Sequence, residues 1–227
     1  MITPDAAAAL AALEARADPA KAAEMAAYHK APRRYLGLPV PQIEELVAEW
    51  RAGLDVAGRV ALADALWQSD VHEARVAAAK LLTQARLRPD AAAWDLIAGW
   101  VPGFDGWALA DQACKAGGRR LLAEPARLDT VEGWLSHDNM WTRRAALVIT
   151  LPWTRQNHPK PADLAIRDRV LGWCARLAPE REWFIQKAIG WWLRDLSRHD
   201  APRTAAWLEA HGAQLKPFAR REAGKYL

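Results

Sequence analysis

Long apolar runs are missing from this chain of 227 residues. No stretch approaches the roughly 18 consecutive apolar residues that span a bilayer, which excludes a transmembrane helix. Cysteine is scarce. Cys114 and Cys174 are far apart, neither belongs to a C-x-x-C pair, and both sit in apolar helical patterns. A disulfide framework and a thiolate zinc site are therefore excluded, and each cysteine is expected as a buried thiol. The six histidines are scattered, none has a second ligand at metal-site spacing, and H-E-x-x-H does not occur. No metal is expected. Neither G-x-G-x-x-G nor G-x-x-x-x-G-K-[ST] occurs, so no nucleotide cofactor is expected either. Met1-Ile2-Thr3-Pro4-Asp5 lacks a basic leader, and the Ala-rich run behind it carries Glu14 and Arg16. It reads as a helix rather than a signal peptide, and the expected location is the cytoplasm.

Tryptophan is abundant where other aromatics are few: thirteen Trp against three Phe and three Tyr. The net charge is +4 and the isoelectric point about 9.3, with arginine well ahead of lysine. Arginine suits planar contact with phosphate, and an indole face suits bases, sugars and cations. Composition alone favours the plainer reading, a coding bias toward arginine and tryptophans that fill the core.

Nearly every segment follows the helical period. The expected helices run over Ala6–Ala17, Val40–Arg51, Val56–Trp67, Val71–Arg86, Ala91–Trp100 and Trp107–Lys115. Further helices are expected over Asp129–Leu135, Asn139–Leu151, Pro161–Leu177, Arg181–Arg198 and Pro202–Leu208. Breaks are marked by prolines and by Gly117-Gly118, and Ser69 or Asp70, Asp105, Ser136 or Asp138, and Asp200 have the chemistry of N-caps. Sustained alternation is absent, so no strand is expected. Helices joined by short turns at 35–45 residues per pair, by our count of roughly that spacing, suit HEAT-type repeats. The expected architecture is all-α: a C-shaped α-solenoid forming one domain over residues 1–227, with a concave basic groove if basic and aromatic residues line the inner wall, which the helical pattern alone does not establish.

Four segments resemble the DNA alkylation repair family, the AlkD-like HEAT-repeat DNA glycosylases. Met25-Ala26-Ala27-Tyr28 followed by Tyr35-Leu36-Gly37-Leu38 is similar to M-x-x-Y … F-x-G-V/I. Trp107-Ala108-Leu109-Ala110-Asp111 is similar to W-D-x-V-D. Ser136 through Ala146 is similar to S-x-x-N-x-W-x-x-R-A-A, and Phe184 through Trp191 to F-I-x-K-A-I-G-W. The resemblance covers about Met25 to Arg194 in matching order. It departs at Ala108, where the family has a second aspartate, and over Pro152–Pro161, a longer connection that could shift Trp191.

The resemblance implies a catalytic set of Asp111, Trp107, Trp191 and Arg144. It implies DNA contacts at Tyr28 and Trp141, although Tyr28 reads equally as a half-buried core tyrosine. Lys187, Arg194, Arg220 and Arg221 read as further phosphate contacts or, equally, as solvated surface groups. The implied substrate is duplex DNA carrying N3- or N7-alkylated purines, bound by a monomer with no cofactor. Such a base is already cationic and leaves readily, so the enzyme's task is to stabilise an oxocarbenium-like sugar. A carboxylate beside C1′ does this, or activates a water. Trp107 and Asp111 are four apart, which puts both on one helix face. No lysine is placed as a Schiff-base nucleophile.

Other readings stand beside these. Asp111 alone is a solvated group or salt-bridge partner, Asp105 is the nearest alternative carboxylate, and a lone Trp fills a core. The adjacent Trp191 and Trp192 must point apart, as must Arg143 and Arg144. A non-catalytic DNA-binding relative and a HEAT-like protein scaffold are the competing functions.

Overall fold

A computed structural model of the protein describes residues 5–227; the opening Met1-Ile2-Thr3-Pro4 lies outside the described residues. These contain thirteen α-helices, five short 3-10 turns and no strand. The expected all-α class is the one observed. No described helix is long and apolar enough to cross a membrane. The chain separates into two compact units after Arg120.

The first unit carries α1 (Ala6–Glu14), α2 (Pro19–His29), α3 (Val40–Ala52), α4 (Val56–Gln68), α5 (His72–Leu81), α6 (Ala91–Trp100) and most of α7 (Trp107–Ala123). Its central element is α5, which packs on α3 and α4 and buries Ala77, Ala78 and Ala79 in succession. Small side chains let neighbouring helices close in from several sides. Trp67 of α4 stacks on Trp100 of α6 at 4.0 Å and 6°.

The Tyr35–Leu38 motif is a device for docking α2. The buried Glu73 carboxylate accepts from the backbone N–H of Leu36 (2.9 Å) and Gly37 (2.8 Å). The Asp18 N–H donates to the Leu36 carbonyl at 2.8 Å, and Asp18 then caps α2 by accepting from Ala20 and Lys21. Gly37 sits at φ +86°, where a Cβ would lie 2.2 Å from the Asp18 carbonyl oxygen. Only glycine fits that turn.

The second unit carries α8 (Leu128–Gly133), α9 (Met140–Val148), α10 (Pro161–Leu177), α11 (Trp183–Ser197), α12 (Ala201–His211) and α13 (Pro217–Ala223). Here α11 is central, packed by α9, α12 and α13. The buried Gln186 spends its whole amide on backbone. Its Nε2 donates to the carbonyls of Ala178 and Glu180, each at 2.8 Å, and its Oε1 accepts from Lys216 N–H at 2.7 Å. One side chain thereby fixes the turn into α11 and the start of α13. Gly190 lets α13 come close: a Cβ there would lie 3.1 Å from the Ala219 carbonyl oxygen.

Several boundaries differ from expectation. Helix α7 runs through Gly117-Gly118, both buried, because packing overrides a breaker signal. Helix α5 stops at Leu81; Thr83 Oγ1 donates to the Ala79 carbonyl, and Arg120 collects the carbonyls of Gln84 and Leu87 beyond it. Asp200 caps α12 as expected. The cap of α9, however, is Asn139, which accepts from Trp141 N–H, rather than Ser136 or Asp138. Val71 precedes α5 with no side-chain cap, while Asp70 pairs with Arg75 at 3.0 Å. Both cysteines are buried thiols.

Candidate nucleic-acid interface

In the first unit, Tyr28 lies in the last turn of α2 and Trp107 opens α7. Their rings meet edge to face, with centroids 5.9 Å apart and planes at 89°. Tyr28 is 69% exposed, and Trp107 is half-buried. Asp111 follows one helical turn after Trp107 and is half-buried too. The sequence thus predicted two aromatics that the fold brings together, with the carboxylate on the adjacent turn.

Behind Trp107 lies a cluster that sequence reasoning missed. His29 sits 5.5 Å from the Trp107 ring, stacks on His72 at 4.7 Å and faces Tyr35 at 5.9 Å. Burial lowers the pKa of both histidines. For His72 the nearby His29, Arg33 and Arg75 add to burial, bringing it to about 3. For His29, burial and Arg33 outweigh the opposing pull of Glu73. Both rings are therefore neutral at pH 7 and pack as flat, apolar plates. The Asp105 carboxylate, a candidate N-cap by sequence, is engaged by the buried Arg33 guanidinium.

In the second unit, Trp141 is half-buried, lies 4.5 Å from Phe184, and has the Arg144 guanidinium 5.8 Å from its ring centroid. Arg144 is only 2% exposed. Arg143 points elsewhere, as helical geometry requires, and makes a bidentate contact with Glu180 while donating to the carbonyls of His137 and Asp138. Arg143 is thereby committed to structure.

Trp191 and Trp192 diverge in the same way. Trp192 is fully buried, its Nε1 donating to Thr150 at 3.3 Å, whereas Trp191 is half-buried. Trp191 Nε1 donates to Asp195 at 3.2 Å, and Asp195 also accepts from Arg155 (2.9 Å) and Arg194 (2.9 Å). Arg155 belongs to the Pro152–Pro161 connection. That segment is held by the buried Arg167, which donates to the carbonyls of Trp153 (2.9 Å) and Gln156 (2.7 Å). The connection thus anchors the neighbourhood of Trp191. Asp195 was legible only as the residue four beyond Trp191.

Lys187, Trp191, Arg194 and Arg221 all line one open cleft between α11 and α13, together with Trp183 and Phe218. Arg194 is already committed to Asp195 and Glu222. Burial alone would lower its pKa, but those hydrogen bonds outweigh it and raise the value. Arg220 and Arg221 are exposed and border a second hollow beside Gly212 and Leu215. No group of three potential metal ligands occurs among the described residues.

Both units of this all-α protein present aromatic and cationic side chains. The profile of the DNA alkylation repair enzyme family matches residues 9–227. The chain belongs to that family. In fold it is similar to a predicted DNA alkylation repair enzyme from Enterococcus faecalis, with 25% identity, a TM-score of 0.78, and coverage of 93% of this chain and 96% of that one. It is also similar in fold to AlkD2 from Streptococcus mutans, with 20% identity, a TM-score of 0.61, and coverage of 84% and 91%. The smu.31 protein of Streptococcus mutans UA159 shows 20% identity and a TM-score of 0.61, over 83% and 92% of the two chains. No curated protein matches.

Proposed function

We propose that this DNA alkylation repair enzyme is a monofunctional DNA glycosylase that excises N3- or N7-alkylated purines from duplex DNA. It acts without a cofactor, as a monomer, in the cytoplasm. The observation that carries this reading is the Tyr28–Trp107 contact with Asp111 one turn further along the same helix.

An alkylated purine bears a positive charge that it loses on leaving, so C1′ takes on cationic character as the glycosidic bond breaks. The Asp111 carboxylate stabilises that charge or orients the water that captures it. Trp107 offers the face of its ring to the cationic sugar or base, an attraction of about 0.5–2 kcal/mol. Tyr28, set edge-on against Trp107, holds the indole in one orientation. In the second unit Trp191 plays the same cation–π role, its ring fixed by Asp195. Arg144 contributes positive potential toward the DNA backbone from a buried position, and Lys187 and Arg221 contribute direct phosphate contacts. Arg194 reaches phosphate only by giving up part of its pairing with Glu222.

The test is to incubate the protein with duplex DNA containing N7-methylguanine and N3-methyladenine and identify the released base by chromatography. Binding to undamaged duplex is measured on the same preparation. Release of the free base with an abasic site left behind supports the glycosylase. Intact binding with release no faster than the spontaneous rate replaces it with a non-catalytic DNA binder.

A further inference from the structure

Of the thirteen tryptophans, nine are buried in the cores and three are half-buried; Trp183 alone is exposed, at 47%. It is the first residue of α11, and Lys187, Trp191 and Arg194 follow it at intervals of four, four and three. That spacing places all four along one ridge of the helix. Opposite runs α13, and Gly190 allows the two helices to approach closely enough for their side chains to meet. Trp183 there stacks on Phe218, with centroids 5.7 Å apart and planes at 26°. The Lys187 ammonium lies 4.8 Å from the Trp183 ring centroid.

The result is an aromatic ledge of stacked Trp183 and Phe218, the indole partly open to solvent, lining the cleft beside three cations. Lys187, Arg221 and Lys225 line this cleft and form no ion pair among the described residues. Glu222, the carboxylate in the cleft, is occupied by Arg194. An exposed aromatic face next to unpaired cations complements a ligand that joins a planar ring to a phosphate. Within an intact duplex every base face is closed against its neighbours, so such a ledge has no planar surface to take there. An unpaired nucleotide supplies both parts.

We propose that the Trp183–Phe218 ledge is a stacking site for an unpaired nucleotide of DNA, with Lys187, Arg221 and Lys225 holding the adjacent phosphates. The protein therefore prefers DNA containing an unpaired base over intact duplex of the same length. This rests only on the DNA-binding part of the function proposed above and not on base excision.

Stacking of a base on an aromatic side chain changes affinity by roughly 5- to 150-fold in nucleic-acid grooves. The full chain is titrated at fixed salt, by fluorescence anisotropy, into an intact duplex and into the same duplex carrying a single-nucleotide bulge. Binding to the bulge at least about fivefold tighter is expected. Trp183→Ala brings that ratio close to one while affinity for intact duplex changes little; Trp183→Phe keeps most of the preference. Circular dichroism checks that both variants remain folded, as an exposed position predicts. Equal affinity of the unsubstituted protein for the two DNAs overturns the proposal, as does a preference that survives Trp183→Ala. Base release together with a flat ratio removes the stacking site alone, whereas absence of DNA binding removes both proposals.

Discussion

Tyr28 and Trp107 lie seventy-nine positions apart in the sequence, yet their rings meet edge to face at 5.9 Å. Such a pair contributes about 0.5–1.5 kcal/mol beyond the area it buries. Because Tyr28 stays largely exposed, its contribution falls on the orientation of Trp107 rather than on the core. A double-mutant cycle with Tyr28→Ala and Trp107→Ala, read on base release, should give a coupling of about that size. Tyr28→Phe keeps the edge contact and should retain most activity. Strictly additive effects would dissociate the two rings functionally.

Gln186 makes three hydrogen bonds from a fully buried position, to Ala178, Glu180 and Lys216. Gln186→Ala strands two carbonyls and one N–H, and a cost of about 2–4 kcal/mol follows. Denaturant unfolding checks it. A loss below about 0.5 kcal/mol would show that water replaces the amide without penalty.

His72 ties stability to pH. Its folded pKa is lowered to about 3, chiefly by burial, from an ordinary value of 6.5. Between those values the unfolded chain binds a proton that the folded one does not, so stability rises with pH and is lost as pH falls from about 6.5 toward 3. His29, shifted in the same direction, adds to this slope. His72→Gln should flatten the acid limb of a stability-versus-pH curve by an amount on the order of a few kcal/mol. An unchanged slope would contradict the neutral, stacked histidine pair.

Much of the fold is legible from local signals. Pro161 at the first helical position and the apolar rhythm behind it give α10 its observed limits. Where long-range packing decides, local signals fail. Gly117-Gly118 lie inside α7, and the short α13, although it opens on Pro217, is placed by its seat on Gly190. At the site, the pairing of Tyr28 with Trp107 and the gathering of Lys187, Trp191, Arg194 and Arg221 follow residues the sequence singles out. The stacked His29 and His72 do not, because forty-three positions separate them and each reads alone as a scattered histidine. Trp183 was readable in principle, as the residue four before Lys187 on the same helix face.

The central claim is that Asp111 stabilises the departing state of the sugar. Single-turnover base release from duplex carrying N7-methylguanine, by the protein and by Asp111→Asn, tests it most directly. The substitution keeps the shape and removes the charge. A rate lower by about 10²–10³-fold, with affinity for undamaged duplex unchanged, is the predicted result. Release by Asp111→Asn at the full rate would contradict the account.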